Sequence, residues 1–150
     1  RRAYEEDIQE LQTNNKMKDL VVISIDVNGL KRANDTLGHA AGDEMIKSAA
    51  YCMVLAFSSY GKVYRTGGDE FMTLLHCTED ELQSVLTSFD KSISQWSGEK
   101  VKSLAIAKGV VVCNQYPKLS MQEIEKIADQ LMYKDKSDYY KNSGIDRRKR

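Results

Sequence analysis

An α/β (α+β) sandwich, with helices laid over a mixed or antiparallel sheet, is the fold the sequence predicts. Three observations carry it: a nearly continuous apolar run from Leu20 to Ile25, a pair of short strand-like runs around Gly67-Gly68, and flanking segments whose apolar residues recur at helical spacing. The 150 residues, 41% of them apolar, suffice for one sizeable core and fit a single domain over 1–150.

Taken in order, Arg1 to Leu11 spaces Tyr4, Ile8 and Leu11 along one face of an amphipathic helix, which Thr13 to Lys16 ends. Leu20 to Ile25 is mostly β-branched and reads as a central strand covered on both faces. Asp26 to Gly42 is polar and glycine-containing, a loop feeding a packed helix marked by Met45, Ile46, Ala49, Met53 and Phe57. Lys62 to Arg65 and Phe71 to Leu75 form a hairpin about Gly67-Gly68, whose glycines tolerate positive φ. Thr78 and Glu81 have capping-box spacing ahead of Leu82, Val85, Leu86, Phe89, Ile93 and Trp96, the buried face of a further helix. Val101 to Cys113, rich in valine and alanine, reads as a strand bent near Gly109. Ser120 and Glu123 repeat the capping box before Ile124, Ile127, Ala128, Leu131 and Met132, a last helix running to about Lys136; the tail Arg147 to Arg150 is expected to fray. Helix, strand, helix, hairpin, helix, strand, helix suits a ferredoxin-like palm.

Lysine plus arginine and aspartate plus glutamate both total 22, so nothing suggests a surface for a polyanion, and nucleic acid is not an expected partner. Cys52, Cys77 and Cys113 are odd in number and widely spaced, with no C-x-x-C pair, which argues against a disulfide framework or a zinc knuckle. The longest apolar run, nine residues from Ala49 to Phe57, falls far short of the roughly twenty needed to span a bilayer, and no secretory leader is expected. The expectation is a cytoplasmic domain without membrane contact of its own.

Three clusters carry candidate chemistry. Asp26 ends the inner strand, where a carboxylate emerges at the sheet edge; alone it reads as readily as a turn former. Gly67-Gly68-Asp69-Glu70 sets two residues without side chains before two carboxylates and leaves room for a phosphate, although an ordinary hairpin with solvated acids fits equally well. If the strand end and the hairpin converge, Asp26 and Asp69 offer hard oxygens suited to magnesium rather than zinc. The third cluster, Asn28 to Asp43, supplies Lys31, Asn34, Asp35, His39 and Asp43. An Asn amide can exchange a donor and acceptor pair with guanine while an Asp accepts from its N1 and N2 protons. His39 is read as structural.

The run Asp26-Val27-Asn28-Gly29-Leu30-Lys31, continuing through Asn34-Asp35-Thr36-Leu37-Gly38-His39 to Gly42-Asp43, resembles the substrate loop of GGDEF domains, and Arg65-Thr66-Gly67-Gly68-Asp69-Glu70-Phe71 resembles their naming motif. Ala128-Asp129, Met132-Tyr133 and Lys136 are similar to the family's final helix, and Arg1 to Tyr4 to the end of its N-terminal motif. The resemblance implies a nucleotide-cyclase or polymerase-palm-like domain, a piece of a larger bacterial signalling protein whose sensory or dimerisation module lies upstream. It implies magnesium, or manganese in its place, held by Asp26, Asp69, the Val27 carbonyl and Glu70; guanine read by Asn34 and Asp43; and triphosphate met by Lys31, Lys136 and the Gly67-Gly68 turn, with Leu30 in the substrate loop. Asp69, Glu70 and Lys31 are the implied catalytic group. The implied reaction is diguanylate cyclase chemistry: a homodimer condenses two GTP into cyclic di-GMP and pyrophosphate.

Some positions depart from the family pattern. Gly29 stands where many members have an aromatic residue, and Ser58-Ser59-Tyr60-Gly61 replaces the R-x-x-D of the inhibitory product site. Tyr140 stands where many members place an arginine on phosphate. That keeps a second reading open, a GTP-binding regulatory domain with little or no turnover.

Overall fold

Eight consecutive residues, Leu20–Val27, form strand β1, and every one of them is buried. Such a strand must be paired along both edges and covered on both faces, and the computed structural model, which describes residues 1–142, shows how this is met. The elements are α1 (Arg2–Thr13), β1, α2 (Leu30–Leu37), α3 (His39–Phe57), β2 (Gly61–Arg65), β3 (Glu70–His76), α4 (Glu79–Gln95), β4 (Ile106–Val112), a 3-10 turn (Cys113–Gln115) and α5 (Met121–Asn142). The strands lie in the order β2-β3-β1-β4. Every pairing is antiparallel, which decides between the two sheet types left open by the sequence. This is the ferredoxin-like split arrangement, with β1 as an inner strand.

The period of two along β1 sorts its side chains between two cores. Val21, Ile23, Ile25 and Val27 pack with Met45, Ala49, Met53 and Phe57 of α3 and with Leu82, Val85 and Phe89 of α4. Phe57 and Phe89 are fully buried there, rings 5.0 Å apart, each contributing about 1.5–3 kcal/mol through burial. Leu20 and Val22 face the other way, into a cluster with Tyr4 and Ile8 of α1 and Met121, Ile124 and Ala128 of α5. Both capping boxes form: Thr78 Oγ1 accepts from the Glu81 amide at 3.2 Å, and Ser120 Oγ accepts from the Glu123 amide at 3.2 Å.

Four details differ from the sequence reading. Asp26 to Gly42 is not one loop, because α2 occupies Leu30–Leu37 between two glycines with positive φ, Gly29 at 77° and Gly38 at 90°. Gly67 and Gly68 do not adopt positive φ; a Cβ on Gly67 would instead meet the Glu70 carboxylate at 3.3 Å. The last strand starts at Ile106 rather than Val101, since the Glu44 carboxylate on α3 accepts from the amides of Glu99, Lys100 and Val101 at 2.9–3.3 Å and holds that segment as a loop. Finally, α5 continues past Lys136 to Asn142. The tail at 147–150 lies outside the described residues.

Gly109 lies within β4 because the strand and α5 approach closely: a Cβ there would lie 2.0 Å from the Ala128 carbonyl oxygen and 2.6 Å from the Met132 amide. Backbone atoms cannot yield as a side chain does. Gly109→Ala should therefore lower the free energy of unfolding by about 1–3 kcal/mol, measured by urea titration.

Candidate functional site

Asp26 is the penultimate residue of β1, on the face turned toward α5, and only 1% of it is exposed. Antiparallel register sets Glu70, the first residue of β3, directly opposite. The Val27 amide donates to the Asp69 carbonyl at 2.9 Å, so the hairpin turn closes back over the end of β1. The carboxylates of Asp26, Asp69 and Glu70 consequently offer oxygens that all lie within 4.8 Å of one another. Strand end and hairpin do converge.

Electrostatics make this a site under tension. Burial, and then the Asp69 carboxylate, push the Asp26 pKa from 3.8 up to about 6; the Lys136 ammonium opposes them, and Glu70 adds a smaller upward push. Lys136 Nζ donates to Asp26 Oδ2 at 3.1 Å. The other oxygen, Oδ1, is buried with no hydrogen-bond partner. A buried, unpaired carboxylate oxygen is costly, and two more carboxylates within reach make a cation its natural complement. An all-oxygen set of this kind could hold a divalent metal, and its hardness fits magnesium or manganese.

The turn between the hairpin strands is gripped from its own flank. Arg65 Nε donates to the carbonyls of Gly67 and Gly68, each at 3.2 Å, and Nη2 donates to Gly68 at 2.6 Å. The amides of Thr66 and Gly67 both donate to the Glu70 carbonyl, at 3.0 and 3.3 Å. This role of Arg65 was missed from sequence, although its position at the head of the motif was a signal.

Beyond β1 the chain turns through Asn28 and Gly29 into α2. Leu30 is half-buried against the core, Lys31 is exposed, and Asn34 is half-buried. Asp43 is exposed in the second turn of α3. Gly42 ties these helices together, because a Cβ there would lie 1.8 Å from Asn34 Oδ1. The Asn34 amide thus rests on the residue before Asp43. His39 is exposed at the start of α3. Lys136, expected to be a triphosphate ligand, is paired with Asp26. Sequence reasoning also overlooked Asn28, buried with its Oδ1 unpartnered, and the buried Tyr140 hydroxyl, which accepts from the Gly29 amide at 3.1 Å.

The family sequence model described as "Diguanylate cyclase, GGDEF domain" matches residues 1–142. The chain belongs to the GGDEF family. Diguanylate cyclase DosC of Escherichia coli is 31% identical over 121 residues, 76% of this GGDEF chain and 25% of DosC. A membrane protein of Staphylococcus epidermidis is 26% identical over 128 residues, 82% of the chain and 36% of that protein. Among solved structures, the GGDEF domain of DgcB from Caulobacter crescentus in complex with c-di-GMP has a TM-score of 0.78, at 19% identity, covering 98% of this chain and 87% of that one. At that identity the likeness speaks for the fold. This GGDEF chain spans about a quarter to a third of the two relatives' lengths, and among its described residues no helix is long and apolar enough to cross a membrane.

The raised pKa of Asp26 has a measurable consequence in the metal-free protein. The folded state holds the Asp26 proton more tightly than the unfolded chain, so this residue contributes stability that is full below about pH 4 and lost as pH rises through about 6. Glu44, Glu81 and Glu123, whose pKa values are lowered by backbone amides, act in the opposite sense at lower pH. The difference in unfolding free energy between wild type and Asp26→Asn, followed by urea titration with a chelator present, should therefore shift by on the order of 1–3 kcal/mol between pH 4 and 7, against the wild type as pH rises.

Proposed function

We propose that this domain binds GTP with a divalent cation and, paired with a second copy, joins two GTP molecules into cyclic di-GMP with release of pyrophosphate. The observation that carries the reading is the gathering of Asp26, Asp69 and Glu70 within 4.8 Å, with one buried oxygen of Asp26 lacking a partner.

In this reading Asp26, Asp69, Glu70 and the Val27 carbonyl hold magnesium, or manganese in its place. When bound, the ion spreads the negative charge that develops as pyrophosphate leaves. Asp69 positions or deprotonates the attacking 3′-hydroxyl, with Glu70 beside it. Asn34 and Asp43 read the guanine edge, the amide pairing a donor with an acceptor and the carboxylate accepting from the base. Lys31 and Lys136 meet the triphosphate; Lys136 leaves its contact with Asp26 when a stronger cation takes that place. The Gly67-Gly68 turn and Leu30 line the nucleotide's path. One domain holds one GTP, so an isologous pair must set two sites face to face before bonds can form. We take this domain to be one unit over 1–150, the catalytic part of a longer cytoplasmic or membrane-anchored protein whose other segments bring two copies together.

A second reading has one specific observation in its favour. Tyr140 stands where many GGDEF domains place an arginine, and its hydroxyl is engaged with the Gly29 amide, so that position supplies no cation to phosphate. A domain that binds GTP tightly yet turns it over slowly would act as a nucleotide-responsive regulator.

The decisive measurement uses the chain fused to a dimerising coiled coil, incubated with GTP and magnesium and analysed for product. Cyclic di-GMP should form, and Asp69→Asn should reduce its rate by about a hundredfold or more, the scale of a lost catalytic carboxylate. Tight GTP binding without product would favour the regulatory reading; neither binding nor product would end both. Asn34→Ala and Asp43→Ala should each narrow the preference for GTP over ATP by about tenfold or more, read from competition binding, since each side chain would pair with groups on the guanine edge that adenine lacks.

A further inference from the structure

The outgoing half of β1 and the turn after it meet α5, from Asp129 to Tyr140, through successive polar contacts. Ser24 Oγ donates to Asp129 Oδ1 at 2.6 Å, Lys136 Nζ donates to Asp26 Oδ2 at 3.1 Å, and the Gly29 amide donates to the Tyr140 hydroxyl at 3.1 Å. Positions 24 and 26 share one face of the strand, while 129, 136 and 140 return to one side of the helix. The first two contacts lie along the strand itself. The third reaches past its end and takes hold of the turn.

That turn has only Asn28 and Gly29 between β1 and α2. It carries the chain from Asp26 and Val27 to Leu30, Lys31 and Asn34. Gly29 is the N-cap of α2, has φ 77°, and supplies no side-chain cap. The direction in which α2 departs is therefore set by backbone bonds. The Asn28 amide donates to the Ala105 carbonyl at 2.8 Å, and the Gly29 amide is held by Tyr140. Tyr140 is itself fixed: it is 4% exposed, and its ring meets that of Tyr139 edge-on at 5.1 Å.

We propose that Tyr140 is a positioning residue for nucleotide binding, its hydroxyl fixing the Asn28–Gly29 turn from which α2, carrying Lys31 and Asn34, departs. The inference rests on the GTP reading above. Residue type matters here. A phenol can accept a hydrogen bond from an amide, whereas a guanidinium only donates. An arginine at 140 would bring a cation toward phosphate but could not hold the Gly29 amide in this way. The chain has a backbone clamp where a phosphate ligand is usual, and its nucleotide affinity depends on the geometry of the turn.

The test is calorimetric titration of magnesium–GTP into the 150-residue chain at a temperature well below its melting point. Tyr140→Phe keeps the ring and removes the acceptor; it should weaken GTP binding by about three- to tenfold. Tyr139→Phe keeps the edge-on ring contact and should bind as wild type does. Amide hydrogen exchange gives the independent readout, with Gly29 exchanging about tenfold faster in Tyr140→Phe and becoming more protected in wild type when GTP saturates it. A wild type that does not bind GTP sinks the functional reading, and this inference with it. A wild type that binds, beside a folded Tyr140→Phe of equal affinity, overturns the positioning role alone. Should Tyr140→Phe fail to fold, the wild-type exchange decides: loss of Gly29 protection on GTP binding overturns the proposal, and a gain supports it.

Discussion

A carboxylate buried at the end of an inner strand is unfavourable unless something answers its charge, and the placement of Asp26 organises everything around it. The strand cannot shift to expose it, because a slip of one residue would turn the apolar faces of β1 out of both cores. The charge is answered only in part, by Lys136 from α5, while Asp69 and Glu70 press upon it from the hairpin. Burial and like charge push the pKa one way and the ammonium pulls it the other, with the balance at about 6, above the ordinary carboxylate range. A group held so is poised for a cation.

The fold supports that strain by making β1 the most enclosed element of the sheet. Its odd-numbered residues anchor to α3 and α4, and Leu20 and Val22 to α1 and α5. On the second face the contacts turn from apolar to polar as the strand runs outward, from Leu20 and Val22 to Ser24 on Asp129 and Asp26 on Lys136. The core thus grades into the site along a single strand. Glycines at contact points allow the rest of the frame to close: Gly109 lets α5 lie on β4, and Gly42 lets the Asn34 side chain rest on α3. Glu44, next to Asp43, holds the segment after α4 through the amides of Glu99, Lys100 and Val101, which steadies the helix carrying Asp43 from behind.

Secondary structure was legible wherever local chemistry fixes it. The β-branched run of β1, the hairpin and both capping boxes stand where period and spacing put them, because each depends on residues close in sequence. The exceptions share a cause. Helix α2 does carry Leu30, Ala33 and Leu37 at helical spacing, but it is only eight residues long, bounded by glycines and otherwise polar. With Ala33 alone buried, it reads from sequence as part of a loop. The late start of β4 follows from a carboxylate on α3, more than fifty positions away in sequence. The extension of α5 past Lys136 brings Tyr140 to its buried place against the turn.

The sequence by itself determined the sheet's inner strand, the glycine turn with its two acids, and which residue types are available to meet a metal and a purine. Only the tertiary structure decided that Asp26 faces Asp69 and Glu70, that Lys136 spends its charge on Asp26, and that Tyr140 holds the amide of Gly29. The division is physical. Propensity, capping and periodicity act over a few residues, whereas the charge felt by a buried carboxylate is set by groups that strand pairing and helix packing carry in from distant parts of the chain.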